Sequence, residues 1–325
     1  MRQFPLVVGL VGTIAALLVG VAACAPFTSP APSAAATPSG TPAQTSSPSP
    51  GPSPSPPSPS PSPTAPTGPI GDLPVGAVPV IYLHRVEAVP PDWATWTAAQ
   101  QKDFIDYDLL PAAFLAQLDW LKANGYVMIL PKDLADHWDA GTPLPSRPVI
   151  ITFDDGYPSW YDLIFPALKA RGMVAEFYVT GARVADGSVT WAELEEMLAA
   201  GNGIGGHDVH HTQLTNVGGS RAPASSATMW AEITGIRTLI HDNLGVWPDS
   251  MAYVGGGYDA TLIALVKKAG YRTARTTHEG FALEADERYT LPAIHVSHWF
   301  DVVDPVTEEL VPGLPRFVSR MTVYH

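Results

Sequence analysis

Apolar positions along residues 71–325 fall into two alternating rhythms. Short, largely β-branched or apolar runs at 78–83, 127–130, 147–153, 174–180, 250–254, 271–274 and 291–296, with a minimal glycine-rich one at 203–206, predict strands. Between them, apolar residues at helical spacing predict helices over 109–124 (Phe114, Leu118, Leu121), 131–138, 160–171, 190–200, 227–244 and 260–269. The punctuation agrees with the rhythm. Pro131 opens one helix at its first position, Thr190-Trp191-Ala192-Glu193 is a capping box, and Gly125, Gly172 and Gly201 each stop a helix. Strands and helices alternating at this spacing predict an α/β fold with a parallel sheet, and a (β/α) barrel gathers its chemistry at the C-terminal ends of the strands.

Composition divides the 325-residue chain into three parts. Residues 1–24 have the form of a secretory signal: Arg2, an apolar run from Leu6 to Val21, then Val21-Ala22-Ala23-Cys24. Small residues directly before the chain's single cysteine resemble a lipobox, which implies a lipid anchor on Cys24 at the outer face of a bacterial membrane. Residues 25–70 are almost wholly Pro, Ser, Thr, Ala and Gly, a linker that cannot bury apolar area. At about 3.1 Å per residue in polyproline II, such a segment reaches on the order of 100 Å. Residues 71–325 are expected to form one catalytic domain, acting as a monomer. With 18 Lys and Arg against 31 Asp and Glu, a net charge of −13 and no basic cluster, a nucleic-acid partner is excluded. A lone cysteine excludes disulfides and cysteine-zinc sites.

Chemistry concentrates at two strand ends. Val149-Ile150-Ile151-Thr152-Phe153 delivers the adjacent carboxylates of Asp154 and Asp155, and Gly206-His207-Asp208-Val209-His210-His211 delivers histidines four apart. One carboxylate and two imidazoles make a three-donor divalent-metal site with room for water, and the second carboxylate stands where a general base is needed. The bland alternative for Asp-Asp-Gly is an ordinary turn, which the downstream histidines argue against. His210 is the alternative to His211 as ligand. His84 follows another apolar strand, where a histidine is often structural. Trp299 and Phe300 are candidates for a sugar-stacking platform or for buried aromatics.

Thr152-Phe153-Asp154-Asp155-Gly156, the His207–His211 pair followed by Thr212-Gln213-Leu214, Gly125-Tyr126, the Thr190-Trp191 helix start, Gly270-Tyr271 and Thr276-Thr277-His278-Glu279-Gly280 together carry a resemblance. Over residues 76–297 the chain resembles the polysaccharide deacetylases of carbohydrate esterase family 4, and more closely their circularly permuted branch, which includes the poly-N-acetylglucosamine deacetylases of biofilm matrices. The resemblance implies a distorted (β/α) barrel and a polysaccharide substrate. It implies Asp154 as base and Asp155, His207 and His211 as ligands of a divalent metal, zinc above cobalt, nickel or iron. It also implies His84, after Ile81-Tyr82-Leu83, as the acid. The activity it implies is removal of N-acetyl groups from an N-acetylglucosamine polysaccharide. The alternatives are O-acetyl ester hydrolysis and a carbohydrate-binding module that has lost catalysis.

Two departures stand out. Where the branch has Ala-Tyr-Pro-Tyr-Gly, this chain has Ala252-Tyr253-Val254-Gly255-Gly256, which leaves Gly255 to offer the oxyanion an N–H. Where the last strand carries an arginine, this chain has Ala293, so the cation beside the base is expected to be absent or replaced by His295.

Overall fold

The computed structural model describes residues 76–215, 222–283 and 285–297, together with Phe317 and Met321. The signal and linker expected over residues 1–70, with Cys24, and the aromatic pair Trp299 and Phe300 lie outside the described residues. Among the described residues no helix is long and apolar enough to cross a membrane.

The chain begins with β1 (Val78–Leu83), β2 (Arg85–Val86), α1 (Ala98–Tyr107), β3 (Asp108–Leu109), α2 (Pro111–Ala123), β4 (Val127–Met128) and α3 (Pro131–Ala140). It continues with β5 (Pro148–Asp155), α4 (Phe165–Arg171), β6 (Glu176–Val179), α5 (Gly181–Ala185), α6 (Trp191–Ala199) and β7 (Gly203–Gly206). Then follow α7 (Ser226–Leu244), β8 (Ser250–Ala252), α8 (Ala260–Ala269), β9 (Thr273–Arg275), β10 (Phe281–Ala282) and β11 (Ile294–His295). The main sheet runs β10-β1-β5-β6-β7-β8-β9, parallel from β1 to β9, with β4 on β5 and β11 on β1. Leu291 bridges to Arg275 on β9, and Ile294 and His295 pair with Ile81 and Tyr82 on β1. That one segment brings the two ends of the curled sheet together, as expected of a distorted barrel.

Strand alternation sorts the side chains. Val149, Ile151 and Phe153 of β5, Ile81 and Leu83 of β1, and Phe177 and Val179 of β6 pack outward with Phe114, Leu118, Leu168 and Leu194 from the helices. The opposite rows line the interior, and toward the strand ends that lining turns polar: Thr152 and Asp154, Glu176 and Tyr178, Ser250, Thr273 and Arg275 are all buried. Gly203 and Gly205 make this possible. A Cβ at Gly205 would stand 2.5 Å from the Tyr178 ring, and one at Gly203 would overlap the Glu176 carboxyl.

Glu176 has a measurable consequence. Burial pushes its carboxyl up to about 8, against a hydrogen bond from Ser250 Oγ at 2.5 Å. The folded chain therefore keeps a proton that the unfolded chain gives up at the ordinary value of 4.5. Stability from this group is complete below that value and is lost as pH climbs toward 8, by up to about 1.4 kcal/mol per unit. In Glu176→Gln, denaturant midpoints taken from pH 5 to 8 should fall less steeply than in wild type. Parallel slopes would show that the carboxyl is not held protonated.

The structure departs from the sequence pattern in several places, with β2, α5 and β10 unexpected short elements. The helix expected over 160–171 starts as a π-turn, Trp160–Ile164, and becomes α-helical only with Pro166 in its first turn, since proline gives no N–H to a preceding turn. No element was expected over 98–108, where the chain forms α1 and enters β3, and the helix expected from 109 starts instead at Pro111. Of α1 only Phe104 is buried, so no apolar stripe advertises it.

Candidate active site and metal centre

The polar rim opens into a cleft of about 890 Å³ lined by His84, Tyr107, Asp154, Asp155, His207, His211, Gln213, Gly255 and His295, among others. This volume is of the order that holds a small ligand. All six site residues expected from sequence line it.

Adjacent residues on a strand face opposite ways, so Asp154 and Asp155 cannot both serve the cleft on a regular β5. Asp154 belongs to the interior row. Asp155 has φ 84, in the left-handed region, and so leaves the strand alternation at its last residue. Among the described residues the only other non-glycines with positive φ are Asp208 (62) and His211 (56). All three lie in the proposed ligand set or on the loop between its histidines. Backbone of this kind persists where its surroundings hold it. Here Thr180 does so for Asp155, donating to its carbonyl from N (3.0 Å) and Oγ1 (3.1 Å).

The donor atoms of Asp155, His207 and His211 lie within 4.8 Å of one another. His207 Nε2 is 3.4 Å and His211 Nε2 3.1 Å from Asp155 Oδ1. His207 Nδ1 lies 2.9 Å from the carbonyl oxygen of Ala252, which only accepts. The N–H therefore belongs on Nδ1, which makes Nε2, facing Asp155, the nitrogen that can give up a proton to a metal. Burial works to raise the Asp155 carboxyl, yet His207 and His211 hold it well below the usual carboxylate range. Burial likewise resists charge on His207, but Asp155 and Asp154 outweigh it and push the imidazole up to about 9. The three groups thus call for positive charge between them. Two nitrogens and a carboxylate oxygen suit a divalent transition metal. His210, the alternative ligand, points elsewhere: its Nδ1 is 2.7 Å from Glu232 Oε1.

Asp154, only 3% exposed, is gripped at Oδ2 by the guanidinium of Arg275, and His84 Nε2 lies 4.0 Å from the same oxygen. Its Oδ1 has no hydrogen-bond partner in the protein. Arg275 overturns the expectation that the cation beside the base is missing or replaced by His295. It comes from the last residue of β9, not from the strand of Ala293, and its side chain is fully buried against the faces of Tyr82 and Tyr178. His295 stacks on Tyr82 at 4.5 Å, and burial, with His84 alongside, holds its imidazole down to about 4. A neutral ring cannot do the work of that cation. Burial also holds His84 below the ordinary histidine value, against the pull of Asp154.

Gly255 sits on the cleft wall in a 3₁₀ turn, Val254–Gly256, with φ 66. The positive φ favours glycine, and a Cβ there would stand 2.5 Å from the end of the Gln213 side chain, which would have to move aside. Sequence reasoning missed Arg275 and Tyr107, and read Gln213 only as part of the run after the histidines. The signal for Arg275 was the alternation of Thr273 and Arg275 about a buried Ala274. Tyr107 had no comparable signal. It reaches the cleft because Arg85 on β2 pairs with Asp103 (2.8 Å) and Asp108 (2.7 Å), tying α1 beside His84. Its ring, 40% exposed, stands edge-on to His84 at 4.9 Å, a position suited to stacking on a sugar face.

Comparison with known proteins gives this geometry a context. Residues 141–274 match the family model for polysaccharide deacetylases. The chain is 26% identical to the Bacillus subtilis protein YxkH over 57% of its own length and 64% of that protein's. It is 23% identical to the poly-β-1,6-N-acetyl-D-glucosamine N-deacetylase of Staphylococcus aureus, covering 61% of this chain and 71% of that one. Its fold is similar to that of PplD, a Streptococcus pyogenes deacetylase solved with acetate. The TM-score is 0.61 at 22% identity, over 69% of this chain and 94% of that one.

Proposed function

Starting from a chain whose residues 141–274 match the polysaccharide deacetylases, we propose that it hydrolyses N-acetyl groups on an N-acetylglucosamine polysaccharide, using a divalent metal, zinc in the first instance. The observation that carries this reading is the convergence of Asp155, His207 and His211 beside a buried Asp154 whose Oδ1 has no protein partner. The name of the Staphylococcus aureus relative supports the choice of amide over ester.

Asp155, His207 and His211 would hold the metal, which when bound supplies a Lewis acid for water and for the acetyl carbonyl. Asp154 takes the proton from the attacking water at Oδ1, while Arg275 fixes the carboxylate at Oδ2. Gly255 on the facing wall offers a backbone N–H to the developing oxyanion. His84, whose hold on a proton burial weakens, lies 4.0 Å from Asp154 Oδ2, so a water between them would carry that proton to it before it passes to the leaving nitrogen. Tyr107 supports the sugar ring.

Because an alkoxide leaves more readily than an amide nitrogen, His84→Ala should damage acetate release from N-acetylglucosamine oligomers far more than from an activated acetyl ester, with metal content unchanged. Equal losses on the two substrates would remove His84 from the acid role. The same two assays on wild type test the reading itself: acetate from the oligomers supports an N-deacetylase, and release confined to the ester supports an O-deacetylase.

A further inference from the structure

The turn that carries the chain from one proposed ligand to the other is held by a helix distant in sequence. Glu232 on α7, 8% exposed, accepts at Oε2 from the backbone N–H of Val209 (3.0 Å) and of His210 (3.0 Å). Its Oε1 takes His210 Nδ1. Three residues further along α7, Gly235 leaves a notch that Val209 fills: a Cβ there would stand 2.7 Å from Val209 Cγ2. From the other side, the first N–H groups of α5 donate to the turn, Gly181 to the Asp208 carbonyl (3.2 Å) and Ala182 to that of Val209 (2.7 Å). Within the turn, the Asp208 carboxylate accepts from the N–H of His211 (2.5 Å) and Thr212 (2.8 Å).

This arrangement opposes two costs. Left-handed backbone at Asp208 and His211 is unfavourable for side-chain-bearing residues, and glycine in the interior of a helix weakens it relative to alanine. Both costs are met where the helix and the turn fit together. The Cβ that Gly235 omits is the one that would lift Val209 off α7.

We propose that Glu232 and Gly235 form a socket on α7 that seats Val209 and His210 and so fixes the spacing of His207 and His211, setting the affinity and coordination geometry of the metal they bind. Both are positioning residues: neither is among the groups lining the cleft named above. The proposal rests on the ligand set already assigned.

Cobalt(II) chloride titrated into the metal-free full chain, followed by its visible absorption bands, tests it. Wild type is expected to bind one equivalent and His207→Ala none. Failure of that pair overturns the ligand assignment and is seen before any socket variant is measured. Given it, Glu232→Gln, which sets an amide N–H₂ against the turn, should raise the cobalt Kd by about 10–100-fold, the range for groups that orient ligands, and shift the bands. Gly235→Ala should also weaken binding, although alanine favours the helix. Adding Val209→Ala to that variant removes the colliding methyl and should restore both Kd and spectrum. Thermal midpoints of the metal-free proteins separate these effects from simple unfolding, and if Glu232→Gln does not fold, the Gly235 pair still decides. A Gly235→Ala protein that binds cobalt like wild type, or one that Val209→Ala does not rescue, overturns the socket.

Discussion

Asp154→Asn is expected to lower turnover on N-acetylglucosamine oligomers by about 10²–10⁴, the usual worth of a positioned general base, while bound metal stays at the wild-type level. Asp154 lies on the inner row of β5, so its side chain enters the cleft without distorting the strand, and it is almost wholly buried. Arg275 occupies one carboxylate oxygen and leaves Oδ1 as the one that can accept a proton from water. Asparagine keeps the shape and the contact with Arg275 but has no proton-accepting oxygen of comparable basicity. Elemental analysis beside the rate measurement separates the two jobs open to an aspartate here. Substantial activity in the variant removes Asp154 as base, and a parallel loss of metal makes it a ligand.

His207→Ala should abolish stoichiometric metal binding, a loss larger than the roughly 10–100-fold attached to groups behind a ligand. His207 is 2% exposed and contributes one of three donors, with its tautomer fixed by the Ala252 carbonyl. Its removal leaves His211, half-exposed, and Asp155, which cannot enclose an ion alone. His210→Ala is the control. Its ring faces Glu232, and the backbone contacts of that carboxylate survive the change. Metal content measured on the two purified variants should therefore diverge. Retention of metal in His207→Ala, or its loss in His210→Ala, would exchange the ligand assignment.

What the sequence made legible was local. The β-branched run into Asp154 and Asp155, the capping box at Thr190 and the glycine stops are short-range signals, and the chain follows them in β5, α6 and α4. The paired histidines were visible because both sit on one short loop. What the sequence hid depends on distance. Arg275 meets Asp154 only because the sheet curls until β9 faces β5 across the interior, and no neighbour of Arg275 in sequence records that. Tyr107 is carried to the cleft by a helix with a single buried residue, anchored through Arg85. The positive φ of Asp155, which aims two adjacent carboxylates into one cleft, has no signature beyond the glycine that follows.

The roles assigned to Asp154 and His84 both presuppose that acetate leaves an amide at the Asp155–His207–His211 centre. Acetate release from N-acetylglucosamine oligomers by chelator-treated protein, titrated with zinc, measures this directly. Release should be negligible at the start, rise until one equivalent is bound, and remain absent at every zinc concentration in His207→Ala. Equal release before and after zinc, or zinc-dependent release that His207→Ala retains, would contradict the account.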